Sequence, residues 1–200
     1  MLISLSDGSS LCVLDVVRRR SLVEEGTALS VDERNRLEEE SEGLEAERKA
    51  VDLLSRSPHS RSGLRLKLLR RGFSEKAADR GLARMEELGY LDDAAFAEQW
   101  LAYRLERHPE GCQALLAGLL KRGIAADLAR ETIERGFSRE QEEQCARRVL
   151  AKLRPKTRQS RTGVARKLSA RGFSASLSYR IVEEIPGASD SEGRDSAGTD

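Results

Sequence analysis

Residues 60–74 read SRSGLRLKLLRRGFS, and residues 160–174 read SRTGVARKLSARGFS. At an offset of 100, nine of these fifteen positions are identical. A weaker copy, GCQALLAGLLKRGIA, spans residues 111–125, where Leu115, Leu119, Arg122 and Gly123 match Leu64, Leu68, Arg71 and Gly72. The chemistry of the motif is that of a short helix with both ends marked. Ser60 and Ser160 can accept a hydrogen bond from the first turn of a helix. Leu64 and Leu68, like Val164 and Leu168, fall one turn apart on a single face. Gly72, Gly123 and Gly172 suit the left-handed position just past a helix end, and Phe73, Ile124 and Phe173 supply the apolar contact of a Schellman ending. Ser74 and Ser174 can then cap the next helix. Arg135-Gly136-Phe137-Ser138 spells RGFS again, but 64 residues after Arg71 and 36 before Arg171, so it reads as a helix end of similar chemistry and not as a repeat mark.

Outward from the motif, each copy acquires a helix before and a helix after. These are expected at 44–56 and 75–88 for the first copy, 93–107 and 126–135 for the second, and 139–153 and 175–185 for the third. Gly89 closes one helix and Asp92 can cap the next, with Leu88, Tyr90 and Leu91 as buried anchors. The expected division is a hairpin and acidic helix over 1–43, three-helix repeats over 44–91, 92–137 and 138–185, and a disordered tail over 186–200. Leu2–Leu5 and Leu11–Leu14 flank a turn containing Asp7-Gly8 and read as a β-hairpin, marginal unless packed on something else. Ser30-Val31-Asp32-Glu33 is a capping box, opening an acidic helix with a break expected at Gly43. The tail PGASDSEGRDSAGTD has no apolar residue larger than Ala and too little to bury. The fold class is all-α: three tandem helix-turn-helix-like repeats in an elongated, curved array whose units contact mainly their neighbours, with a small N-terminal hairpin and helix.

Composition agrees with a thin core and much charged surface: hydrophobic residues make up 38%, charged residues 34% and aromatics 4% of 200 residues. No apolar run approaches the roughly 18 residues that span a bilayer, and the first residues lack the layout of a secretion signal. Cys12, Cys112 and Cys145 are far apart and form no CxxC pair, and His59 and His108 add no metal-ligand spacing. A cytoplasmic protein with reduced thiols and no cofactor is expected. The net charge of +1 hides an asymmetry. Residues 1–49 carry 7 basic and 12 acidic side chains, residues 50–185 carry 27 and 18, and residues 186–200 carry 1 and 4. From Gln144 through Val182 there are 11 Lys and Arg and no acid.

Candidate functional residues follow from that charge. Arg65, Lys67, Arg70 and Arg71 lie on the second helix of the first repeat, Lys121 and Arg122 on the second, and Arg166, Lys167 and Arg171 on the third. Lys152, Arg154, Lys156, Arg158 and Arg161 extend the basic stripe through a loop at Pro155. Such a cluster suits phosphates or an acidic protein groove, because a merely solvated face mixes both signs. Asn and Gln, which read base edges, are nearly absent from the helices after the glycine turns, so any DNA contact should be sequence-independent. Phe96, Trp100 and Tyr103 form a stripe expected in the core. His59 and His108 have no partner within motif distance. No Walker loop, GxSxG or HExxH occurs, and an enzyme is not expected.

The segment SRSGLRLKLLRRGFSEKAADRGLARMEELGYLDDAAFAEQW, residues 60–100, resembles the RecX family of RecA regulators. The resemblance rests on the Ser-Arg start, the Lys-Leu pair, the Gly-Phe ending, the Leu-Gly-Tyr-Leu-Asp-Asp junction and Phe-Ala two residues on. The three-unit plan extends it over about 50–185. Gly63 and Gly163 replace a usual acid, and the middle repeat has Gly111-Cys112-Gln113 where basic residues are common and Gly118 where the first repeat has Lys67. The resemblance implies a non-catalytic modulator that lies in the groove of a RecA–DNA filament and limits ATP hydrolysis and strand exchange in recombination, DNA repair and the SOS response; the thin core of neighbour-only units leads to the expectation of a monomer. It implies RecA and single- and double-stranded DNA as partners, and no membrane. Two alternatives remain open: a sequence-independent DNA-binding protein with no recombinase partner, and a helical scaffold for another acidic protein.

Overall fold

A computed structural model describes residues 2–5, 8–153 and 161–184. The expected turn residue Asp7, the capping residue Ser160 and the tail over 186–200 lie outside the described residues. Two strands, β1 (Leu2–Ser4) and β2 (Ser10–Cys12), form an antiparallel hairpin in which Ile3 faces Leu11. Ten helices follow among the described residues, and the chain divides into two compact units, 1–93 and 94–200. The all-α class with a small hairpin is therefore as expected.

The first unit begins with the hairpin and a helix that pattern-reading missed, α1 (Asp15–Arg20). It has no side-chain cap and buries only Val17. Leu11, Val13, Val17, Val23 and Leu37 form a small core, so the hairpin packs on α1 and on α2 (Val31–Leu54). The buried hydroxyl of Ser41 on α2 accepts the Leu14 N–H at 3.1 Å, which satisfies backbone polarity where the hairpin meets the helix. Both halves of the capping box form: Ser30 Oγ accepts the Glu33 N–H, and Glu33 accepts the Ser30 N–H at 2.8 Å.

The break expected at Gly43 does not occur, because α2 runs unbroken over 24 residues. Gly43 is buried beneath Arg80, whose side chain lies where a Cβ would stand. The glycine thus makes room for a crossing side chain, and the helix-propensity penalty of roughly 1 kcal/mol is absorbed within a long, well-packed helix. α3 (Arg61–Leu69) and α4 (Glu75–Glu87) complete this unit. Leu53, Leu64, Leu68, Leu82, Met85 and Leu91 form its second core. Leu91 is buried as expected, whereas Leu88 and Tyr90 are exposed.

The second unit holds α5 (Asp93–Arg107, starting at the boundary), α6 (Cys112–Leu120), α7 (Ala126–Gly136), α8 (Arg139–Leu153), α9 (Arg161–Ser169) and α10 (Ala175–Glu183). Its buried residues run from Ala97 to Val182 in one continuous core, so the second and third repeat motifs share an interior. The motif itself folds as its chemistry dictates. Gly72, Gly123 and Gly172 all have φ between 78° and 89°. Phe73, Ile124 and Phe173 each donate their N–H back to Leu68, Leu119 and Leu168, the six-to-one bond of a Schellman ending. Gly136 has no positive φ and lies within α7, so the out-of-register RGFS is indeed not a repeat turn. Its Ser138 instead caps α8, accepting the Gln141 N–H at 3.3 Å.

Candidate functional site

The basic residues singled out from sequence differ in what they touch. In the first repeat most are engaged internally. Arg65 pairs with Asp79 at 2.8 Å and with Glu75 at 3.3 Å. The hydrogen bond from Arg65 holds the Asp79 carboxyl below the usual carboxylate range. Lys67 Nζ lies 3.1 Å from His59 Nε2. Burial first, then the charges of Lys67 and Arg71, pushes the His59 pKa down, which favours the neutral ring beside the ammonium. Sequence spacing offers His59 no partner within motif distance; the turn into α3 brings Lys67, eight residues away, to the ring nitrogen. Arg71 donates to the Lys67 carbonyl at 2.9 Å, one of the carbonyls left open at a helix C-terminus. Arg70 is exposed.

In the middle repeat, Lys121 is exposed. Arg122 donates to the Gly118 carbonyl at 2.9 Å and lies 4.6 Å from the centroid of Trp100. Arg104 lies 5.7 Å from the same ring. Burial first, and Arg104 second, lowers the Arg122 pKa. Phe96 and Trp100 pack on the core only partly buried, while Tyr103 is 54% exposed with Arg107 5.8 Å from its ring. The expected core stripe is therefore a graded edge. Gly118 is there for Trp100: a Cβ at 118 would come closer than 3.0 Å to the indole.

In the third repeat, Lys152, Arg166, Lys167 and Arg171 are exposed and form no ion pair among the described residues. Arg161 is half-buried at the start of α9. Arg154, Lys156 and Arg158 lie outside the described residues. The acid-free stretch is partly neutralised from its flanks: Arg147 pairs with Glu184 at 2.9 Å, and Arg180 pairs with Glu143. The turn after α9 is fixed by α6. Gly111 donates to the Arg171 carbonyl at 3.0 Å, and Gln113 donates to the Gly172 carbonyl at 3.1 Å. This places Arg171 and Lys152 on one cleft of about 340 Å³ with Arg107 and His108. Sequence reasoning missed Arg107, whose only signal was its place in the last turn of a helix.

The thiols are free, and burial, aided by Glu142, pushes the Cys112 pKa up to about 12. Among the described residues no group of His, Cys, Asp and Glu could hold a metal ion, and no helix is long and apolar enough to cross a membrane.

Residues 46–85 match a family model described as RecX, first three-helix domain, and residues 92–133 match RecX, second three-helix domain. The chain is 36% identical over 137 residues to a regulatory protein RecX of Thermobifida fusca, covering 66% of this chain and 74% of that one. It is also 36% identical over 145 residues to a regulatory protein RecX of Treponema pallidum, covering 72% of this chain and 88% of that one. A crystal structure of regulatory protein RecX superposes with a TM-score of 0.70 at 18% identity, over 92% of this chain and 98% of that one. The crystal structure of RecX from Lactobacillus salivarius gives 0.65 at 18% identity, over 72% and 96%. At these identities the two structures speak to the fold.

Proposed function

The chain belongs to the RecX family of regulatory proteins, and from that premise we propose that it modulates the RecA recombinase as an inhibitor. It binds the groove of the RecA–DNA filament as a cytoplasmic monomer and limits ATP hydrolysis and strand exchange. It contacts single- and double-stranded DNA without regard to sequence. The observation that carries this reading is the exposed set Arg166, Lys167 and Arg171, which has no ion pair among the described residues. Positive side chains without internal partners are available to phosphates and to acidic protein surface. The repeats over 44–91, 92–137 and 138–185 are the contact modules, and the residues Arg65, Lys67 and Arg71 of the first play the lesser part because they are engaged internally.

The test is RecA ATPase on single-stranded DNA with the protein titrated in. Inhibition is expected from the parent and strongly reduced inhibition from R166A/K167A/R171A with unchanged helix content. No effect of the parent on ATP hydrolysis, with DNA retained and RecA not captured, would leave a DNA-binding protein without a recombinase partner. Equal inhibition by the triple variant would reduce these side chains to solvated surface.

A further inference from the structure

We propose that the cleft between the ends of α5, α8 and α9 is a subsite for a backbone phosphate of nucleic acid, held by Arg107, Lys152 and Arg171 with His108 beside them. This subsite rests on the DNA-binding part of the proposed function and gives it an address. The cleft encloses about 340 Å³, enough for a phosphodiester with its first waters. Its cations come from three separate segments: the last residue of α5, the last turn of α8, and the turn after α9. Among the described residues the one acid in its wall, Glu110, is already paired with Arg104 and so does not neutralise them.

These charges also have a structural role. All three stand at helix C-termini, where a cation offsets a partial charge of about −0.5. Three such termini offset roughly 1.5 of three full positive charges, so the cleft stays net positive. Like charges around a concavity repel one another, and a low-dielectric wall focuses their field. An anion relieves both.

The cleft is also built before any ligand arrives. Gly111 and Gln113 hold the backbone of the 171–172 turn. His108 N–H continues the helical bonding to the Arg104 carbonyl at 2.7 Å, and Arg148 ties α8 to the Leu105 carbonyl at 3.4 Å. Arg107 is steadied over Tyr103, and that exposed ring offers a face on which a neighbouring base can stack. Two guanidinium forks and an ammonium drawn from three segments suit a phosphate, which accepts around its whole periphery.

The experiment measures anisotropy of a fluorescein-labelled oligo(dT) strand against the full chain at rising salt, for the parent, R107Q/K152Q/R171Q, and R166Q/K167Q as a variant outside the cleft. The cleft variant should bind about tenfold or more weakly, and its slope of log affinity against log salt should be shallower by about 0.7 for each phosphate no longer neutralised. Its helix content should match the parent's, with at most a small drop in melting temperature from the lost charges at the three helix ends. Four results overturn the proposal. Unchanged affinity and slope in the cleft variant, with weakening only in R166Q/K167Q, removes the cleft and leaves DNA binding standing. A parent that does not bind the strand in a salt-dependent way removes both. Retained strand affinity with abolished binding of inorganic pyrophosphate assigns the cleft to a free phosphate compound. Retained strand affinity with abolished RecA inhibition assigns it to an acidic protein surface.

Discussion

Gly172 is pressed against Ala114: its carbonyl accepts the Gln113 N–H, and a Cβ on Gly172 would come closer than 3.0 Å to both the backbone and the side chain of Ala114. Gly72 has the same left-handed backbone, yet nothing lies within 4 Å of where its Cβ would stand. One repeat turn is free and its counterpart is a docking point.

The two glycines should therefore respond differently to the same change. Gly72→Ala carries only the left-handed strain, roughly 1–2 kcal/mol. Gly172→Ala carries that strain plus a collision with α6, and overpacking typically adds about 1–3 kcal/mol. Urea unfolding followed by circular dichroism should show the larger destabilisation for Gly172→Ala. Equal destabilisation would mean that the turn is not seated on α6.

Trp100 provides a second check, because it is the chain's one tryptophan. Gly118→Val should force the indole out from beneath Arg122, red-shift its emission and cost about 1–3 kcal/mol by overpacking. Arg122→Leu should alter the emission with a smaller effect on stability, since a cation over a half-buried ring contributes about 1 kcal/mol. Unshifted emission in Gly118→Val would contradict the packing.

His59 predicts a pH dependence. Its folded pKa is lowered from 6.5, so between the folded value and 6.5 the unfolded chain binds the proton more readily. Stability then rises with pH across that window: it is present above about 6.5 and falls as the pH drops below it. Proton NMR of the His59 ring should report the low pKa. Lys67→Met should move it upward, and His59→Gln should flatten that part of the stability profile. A His59 titration at 6.5 in the parent would refute the pairing with Lys67.

Removing charge from the first and third repeats should also differ in its structural cost. R65A/K67A/R71A breaks the pairing of Arg65 with Asp79, the contact of Lys67 with His59 and the carbonyl bond of Arg71. R166A/K167A/R171A breaks no ion pair among the described residues. The first triple should melt measurably lower than the parent, and the third-repeat triple should stay within about 0.5 kcal/mol of it, the usual range for surface changes. Matching melts for the two triples would mean that the Arg65 contacts contribute nothing.

What could be read in advance was whatever local chemistry decides. Ser60, Gly72 and Phe73 specify a helix with two ends within fifteen residues, and the same three signals recur a hundred residues later. α1 was not legible because six residues with one buried valine leave no periodic stripe. Gly43 misled because an isolated glycine marks either a break or a crossing, and only the position of Arg80 on another helix decides which. The candidate site was legible as a charge excess but not as a geometry. Nothing near Arg65 announces Asp79, fourteen residues on, and Glu143 and Glu184 reach into the acid-free stretch from just outside it. The cleft joins residues 107, 152 and 171, which only tertiary packing brings together.

The continuous interior of the second unit bears on how the chain emerges from the ribosome. The first unit has all its residues once position 93 is clear of the exit tunnel. The second cannot close until Ile181 and Val182 have followed, because both are buried in the same interior as Ala97 and Leu101. At about 5–20 residues per second, some seconds pass during which α5 to α7 are synthesised but lack the partners that cover them. That interval is when nascent-chain binding factors should find this protein, and a stop codon placed after α7 should prolong it indefinitely, giving an insoluble product in place of a shorter regulator.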